Sequence, residues 1–249
     1  MSEPELLRDA WWQMKFKHFV LTRYNLGIYD RKQKLRDKKR IVPEEWMENR
    51  WKLFTKFCVP SVSNQKCKDF VWIIVFDPKT PVGVLDEAEK VVPPNTIVCT
   101  GDNFRKKSIE VVESLLTDED RVITSRIDND DAIHQDFVGN IQEWFKIRKR
   151  TGVLTYSKGW VWDWLSNKLY HLRYIKNHFL TFIEKRGAKP VKTVLRDRHT
   201  DLTSRFQTFR VETESHMWLE SVHEDNLLNY ARGDKVAMSK LKKQEYGLT

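Results

Sequence analysis

The chain has 249 residues, with 44 Lys and Arg against 35 Asp and Glu, a formal net charge of +9 and 40% hydrophobic content. That length supports one large domain or two small ones, and the apolar and aromatic share excludes both intrinsic disorder and a fibre. The longest apolar run, Phe70 to Phe76, falls far short of the roughly 20 residues that cross a bilayer.

Along the chain, Ser2 and Glu5 are placed to cap a first helix through Ala10 and Trp12. The opening MSEPELLRDA carries no apolar signal core, and three widely spaced cysteines (58, 67 and 99) read as reduced thiols, so a cytoplasmic protein is expected. Lys17 to Arg23 forms the first strand. Arg31 to Arg40 (RKQKLRDKKR) is a basic block with few apolar residues, expected as a solvated loop or frayed helix. Pro43 opens a helix that places Met47, Trp51, Phe54 and Cys58 on one face. Phe70 to Phe76 (FVWIIVF) reads as a strand buried on both faces, ending at the Asp77-Pro78 turn. Thr96 to Cys99 is a short strand, Arg105 to Leu116 a helix, and Arg121 to Ile127 the next strand. Ile133, Phe137, Ile141 and Phe145 then mark an amphipathic helix closed by the basic run Lys146 to Arg150. This alternation indicates an α/β layered sheet.

From Gly152 the pattern changes. Gly152 to Ser157 and Leu169 to Tyr174 are expected strands around a Trp-rich segment. Trp160, Trp162 and Trp164 alternate there at period two, either as core or as a platform for sugar C–H faces. Asn177 to Arg186 is expected as a short helix, and Lys192 to Arg196 and Met217 to His223 as strands. Residues 231–249, with the lysines from Lys235 to Lys243, read as a solubilising tail. With no internal repeat and no long linker, the chain reads as one domain. A half at about 1–150 holds the ligand, and a mixed α+β half at about 151–230 follows.

The sharpest feature is Asp128-Asn129-Asp130-Asp131, three carboxylates within four residues at a strand end, where open α/β sheets place ligands. Unpaired, these groups repel one another and rise in pKa. A hard cation such as Mg²⁺ or Mn²⁺, which favours oxygen ligands and phosphates, resolves the conflict. The plain alternative is that Asp131 caps the next helix while Asp128 and Asp130 stay solvated. His223, at the end of a strand, could supply a nitrogen ligand or a phosphate contact, or serve the structure alone.

The segments HFVLTRYN (His18 to Asn25), VPSVSNQKCKDFVWIIVFDPKTP (Val59 to Pro81), TSRIDNDDAI (Thr124 to Ile133), GWVWD (Gly159 to Asp163), NHFLTFIE (Asn177 to Glu184) and WLESVHEDN (Trp218 to Asn226) carry a family resemblance. Together they resemble the "putative rhamnosyltransferase" family, GT-A-fold glycosyltransferases of bacteria and large algal viruses. The resemblance runs from about residue 17 to 230. It implies a GT-A-type (Rossmann-like) mixed sheet flanked by helices, with a smaller acceptor-side half.

It also implies roles. Asp128 and Asp130 match the D-x-D metal and nucleotide-sugar motif, with Asp130 the direct ligand and Asp128 and Asn129 nearer the nucleotide. Asp131 extends the motif towards the sugar, and His223 matches a C-terminal His on the same cation. Thr22, Arg23 and Asn25 fall where the family holds the base and diphosphate, and Asp77 beside the nucleoside. Arg126 is a planar donor for phosphate or sugar. The implied reaction moves a sugar, with inversion, from a UDP- or dTDP-sugar to a glycan hydroxyl. The implied cofactor is Mn²⁺ or Mg²⁺, with no nucleic-acid partner. Inversion needs a proton acceptor, for which Glu184, Asp163 and Asp131 are candidates. Glu184 is favoured because an apolar helix would part-bury it. One departure from the family pattern is His178, where Pro is usual. The competing reading, a non-catalytic polyanion- or nucleic-acid-binding protein, rests on the basic runs alone and has no zinc-finger or RNP-type motif behind it.

Overall fold

The computed structural model describes residues 14–27, 43–223 and 231–249; the expected first helix, the 31–40 basic block and Glu224 to Asn226 lie outside them. In chain order the strands are β1 (Phe16–Arg23), β2 (Val71–Phe76), β3 (Thr96–Thr100), β4 (Arg121–Arg126), β5 (Ala132–Ile133), β6 (Gly152–Tyr156), β7 (Lys158–Asp163), β8 (Lys168–Arg173), β9 (Thr181–Lys185), β10 (Thr208–Val211), β11 (Trp218–Val222) and β12 (Asp234–Val236). The helices are α1 (Pro43–Leu53), α2 (Val59–Ser63), α3 (Val82–Val91), α4 (Phe104–Leu115), α5 (Phe137–Arg148) and α6 (His199–Arg205).

Strands β1 to β4 are apolar on both faces, so they can be buried only at the centre of a helix-covered sheet. They pair in parallel with β1 between β2 and β4. Antiparallel β9 extends β4, and β6 and β10 complete a seven-stranded mixed sheet in the order β10-β6-β9-β4-β1-β2-β3. A second sheet, β12-β8-β7-β11-β5, stands beside it. The chain crosses between the sheets at the exit of β4, because β5 follows that strand within six residues and pairs with β11. This is the α/β class expected. The two halves are not separate layers, since β6, β9 and β10 all belong to the first sheet.

Several elements differ from expectation. Asn177 to Arg186 is a strand: Thr181, Phe182 and Ile183 are buried beside β4, and a β-branched, aromatic run suits a sheet better than a helix. Lys192 to Arg196 forms turns instead of a strand. The helices α3 and α6 and the strands β10 and β12 had no clear periodic signal. The helix from Pro43 runs through a π-helical stretch, Phe54–Cys58, into α2, which brings Phe57 as well as Phe54 and Cys58 into the core. The segment expected as a solvated tail is packed. Leu241, Tyr246 and Leu248 are buried with Phe57, Trp160 and Trp162, apolar anchors that the surrounding lysines dilute in any composition average. Two of the three aligned tryptophans are therefore core, Trp160 stacked on His216 at 3.6 Å and Trp162 edge-on to Phe57 at 5.6 Å. Trp164 lies half-buried beneath Lys56. Cys58, Cys67 and Cys99 are free thiols. Among the described residues no helix is long and apolar enough to cross a membrane.

Two features of the sheets give tests. A Cβ on Gly159 would lie 2.0 Å from the Trp218 ring, so β7 and β11 can pair only with glycine there. Gly159→Ala should destabilise the chain by about 3 kcal/mol, the upper range for overpacking, read by urea denaturation. His18 is buried, bonded through Nε2 to Ser125 Oγ at 2.9 Å, and burial lowers its imidazole to about 3. The unfolded chain takes up this proton near the ordinary value of about 6.5, and the folded chain resists until far lower. Stability therefore falls as pH drops below that value, and His18→Gln should reduce the slope by about one proton.

Candidate active site

The acidic loop forms because β4 ends against the seam between the sheets. Ile127 is buried, and its N–H donates to Leu21 O at 3.1 Å, so the chain leaves β4 in a fixed direction. Four residues later Ala132 starts β5 beside Leu219. The intervening Asn129, Asp130 and Asp131 are all buried, and Asp128 is half-buried.

Each carboxylate meets its own basic partner. Arg126 grips Asp128 through Nε at 3.0 Å and a second nitrogen at 2.8 Å. Asp130 is paired with Arg50 from α1, and His223 Nε2 donates to the same oxygen at 3.0 Å. Asp131 accepts from His178 Nε2 at 2.6 Å and from the Ser221 N–H at 2.8 Å. Ser221 Oγ also donates to the Asp130 carbonyl at 2.6 Å, which ties the loop to β11. Asn129 accepts from Arg50 at 3.2 Å and donates to Tyr24 O at 2.6 Å, which ties it to the exit of β1.

These partners separate the three acids electrostatically. Burial opposes ionisation of Asp130, but the Arg50 charge and the His223 hydrogen bond outweigh it and hold that carboxyl well below its usual range. Burial, reinforced by the Asp130 charge, pushes Asp131 up to about 7. Burial disfavours the His178 cation as well, yet the adjacent Asp131 and the nearby Asp128 draw that imidazole up to about 9. The Asp131–His178 pair therefore keeps a proton through neutral pH. For Asp128, burial is again outweighed, here by Arg126.

A divalent cation fits this donor set. Asp128, Asp131 and His178 each offer a ligand atom, and these atoms all lie within 4.8 Å of one another. Two carboxylate oxygens and an imidazole nitrogen suit a borderline-hard ion. The set expected from resemblance was Asp128, Asp130 and His223. The structure groups Asp130 and His223 with Arg50, and puts His178 where the third ligand was expected from His223. Nor does Asp131 cap a helix; α5 begins only at Phe137, and the Asp131 side chain faces β11 and His178.

The other expected residues divide into three groups. Asn25 and Asp77 lie together at the ends of β1 and β2. Asn25 Oδ1 accepts from the Asp77 N–H at 2.8 Å, and the Asp77 carboxylate accepts from Gly27 N–H at 2.9 Å. Arg23 ends β1 exposed, near enough to Asp128 to favour its ionised form. Thr22 is fully buried and takes the Trp72 indole N–H at 2.9 Å, so it serves the core and is turned from any ligand.

Of the acceptor-side carboxylates, Glu184 is not at the cluster. It pairs in register with Val122, four residues before the end of β4 and so roughly 13 Å from it. Burial raises its carboxyl as expected, but the oxygens are occupied by the Lys192 and Thr193 N–H groups at 2.9 and 2.8 Å. Asp163 ends β7 opposite Val222, next to His223 in sequence, yet its side chain accepts from Ser166 Oγ at 2.5 Å and closes the β7–β8 turn.

The family model described as "Putative rhamnosyl transferase" matches residues 17–235. The chain belongs to this family. Its members are glycosyltransferases by description, and so is this chain. No curated protein matches the sequence. Among solved structures, S. aureus TarS 1–349 in complex with UDP-GlcNAc is 12% identical, with a TM-score of 0.48 over 88% of this chain and 62% of TarS. A "putative nucleotide-diphospho-sugar transferase" from Desulfovibrio desulfuricans G20 is 9% identical, with a TM-score of 0.44 over 84% and 82% of the two chains. The inositol-1-phosphate CTP transferase from T. maritima is 12% identical, with a TM-score of 0.38 over 87% and 92%.

In this glycosyltransferase three residues at the loop escaped sequence reasoning. Arg50 lies three residues after Met47 and four before Phe54, on the face of α1 that should be apolar; a buried-face arginine was the available signal. His178 showed itself only as a departure from the family pattern. Ser221 carried no signal. Removing the His178 imidazole should leave Asp131 buried on one backbone donor, so His178→Ala should cost about 1–3 kcal/mol in urea denaturation, and His178→Gln, which can still donate, appreciably less.

Proposed function

We propose that the protein transfers a sugar, L-rhamnose by its family description, from a nucleotide-activated donor to a hydroxyl of a glycan acceptor. The observation that carries this reading is the convergence of Asp128, Asp131 and His178 at the exit of β4 in a chain of this family. A bound Mn²⁺ or Mg²⁺ would offset the negative charge that develops on the departing diphosphate. Asp128, Asp131 and His178 would hold it, with Asp130 and His223 beside them.

Asn25, Asp77 and Arg23, at the ends of neighbouring parallel strands, border the place proposed for the nucleoside. A UDP- or dTDP-sugar is the proposed donor. Arg126, already turned to Asp128, is proposed to share its planar guanidinium with the diphosphate. Inversion at the anomeric carbon, which the family resemblance implies, needs one proton acceptor facing the acceptor hydroxyl. Of the three carboxylates considered for it, Asp131 is the one at the cluster, and its hydrogen bond to His178 gives the proton somewhere to go. Free thiols at all three cysteines favour a reducing compartment such as the cytoplasm.

The test is a release assay over a panel of UDP-, dTDP- and GDP-sugars, with thermal shifts for the nucleotides. UDP or dTDP with Mn²⁺ should raise the melting temperature, and Asp128→Ala should abolish the shift. Asp131→Asn should lower transfer at least about a hundredfold, in the range for loss of a proton-transfer group, while Glu184→Gln should leave it within about threefold. A chain that responds to no nucleoside diphosphate, with either metal, would sink the proposal.

A further inference from the structure

Arg50 has an unused edge. It is a buried guanidinium, about 7% exposed, and both of its hydrogen bonds, to Asp130 and to Asn129 Oδ1 at 3.2 Å, are made through one terminal nitrogen, NH1. The Trp46 ring lies 4.8 Å from the guanidinium carbon and fixes its plane. Nε is buried with no hydrogen-bond partner among the described residues. A donor left in that state costs free energy, more so on a charged group, and native structures rarely leave one without a use. The Nε–NH2 edge of an arginine is a planar fork that matches two oxygens of one phosphate.

We propose that Arg50 is a diphosphate-binding residue of this site, its NH1 anchored on Asp130 and Asn129 and its Nε–NH2 edge receiving the donor's phosphate oxygens. The anchor sets the direction of the fork. Asp130 and Asn129 pull NH1 into the acidic loop, Trp46 stops the plane from tilting, and the opposite edge is left for an anion. Asn129 also holds Tyr24 O, two residues from the Thr22–Arg23 end of β1, so the fork is tied to the strand end proposed for the nucleoside. This rests on the nucleotide-sugar reading above and adds to it a group that discriminates a nucleoside diphosphate from its nucleoside.

The experiment measures affinity for UDP, dTDP, uridine and thymidine by calorimetry, with Mn²⁺ and with EDTA, in wild type and in Arg50→Lys. Lysine keeps a positive charge against Asp130 and so protects the fold, but a single ammonium cannot present a fork. The wild type should prefer the diphosphate over its nucleoside. Arg50→Lys should lose about ten- to a hundredfold of that preference, with nucleoside affinity unchanged. If Arg50→Lys folds poorly, arginine-labelled wild type gives a second reading: one solvent-protected Nε–H signal should shift on adding the diphosphate and stay put with the nucleoside. An undiminished preference in Arg50→Lys, or an unmoved signal, overturns this role and leaves the nucleotide-sugar reading standing. A wild type that binds none of the four ligands overturns that reading, and the role with it.

Discussion

Burying three carboxylates within four residues is the constraint on which the rest of this structure depends. Alone, each would revert to its neutral acid sooner than remain charged out of water. The fold supplies separate partners from separate elements: Arg126 from the end of β4, Arg50 from α1, His178 from the segment before β9, and His223 just after β11. No short stretch of chain could deliver all four. The crossing from the first sheet into the second at β5, and the register of β11 that puts the Ser221 N–H on Asp131, are therefore requirements of the site as much as of the core.

The same requirement explains what could be seen in the sequence. β1 to β4 were legible because continuous apolar runs admit few other fates, and the acidic loop because it directly follows one of them. β9 was misread as a helix because Thr181–Lys185 is too short for period 2 and period 3.6 to differ, and its strand character comes from the open edge of β4. Arg50 and His178 were illegible for another reason. A basic residue in a helix or a loop is ordinarily solvated, and only the long-range approach of α1 and of residue 178 to the loop turns each into a counter-charge. The partners lie 80 and 47 residues from their carboxylates. Local pattern carries no such information.

The +9 balance first invites a polyanion, and the structure partly redirects that charge. Lys56 lies over Trp164, Lys243 over Trp162, and Arg150 over Phe209, so several cations cover aromatic faces. The end of the chain, lysine-rich in composition, is held by Tyr246, whose hydroxyl bonds the His216 carbonyl, and by the Gln135 N–H on Glu245 O at 2.7 Å. Composition reported the sign of the surface charge, but packing decided how much of it was free to attract a ligand.

At the loop itself, charge is close to balance before any ligand arrives. Three carboxylates face Arg50, Arg126 and the proton shared by Asp131 and His178. A balanced site attracts an anion weakly at long range, since only unbalanced charge projects a field. A diphosphate entering it brings negative charge that the existing pairs cannot absorb without being broken, whereas a divalent cation entering with it restores the balance and leaves each pair intact. Charge bookkeeping therefore favours nucleotide and metal arriving as one complex. It also assigns the protein's own arginines a directional task, in which the fixed planes of Arg50 and Arg126 choose how the phosphates lie and the ion supplies the charge.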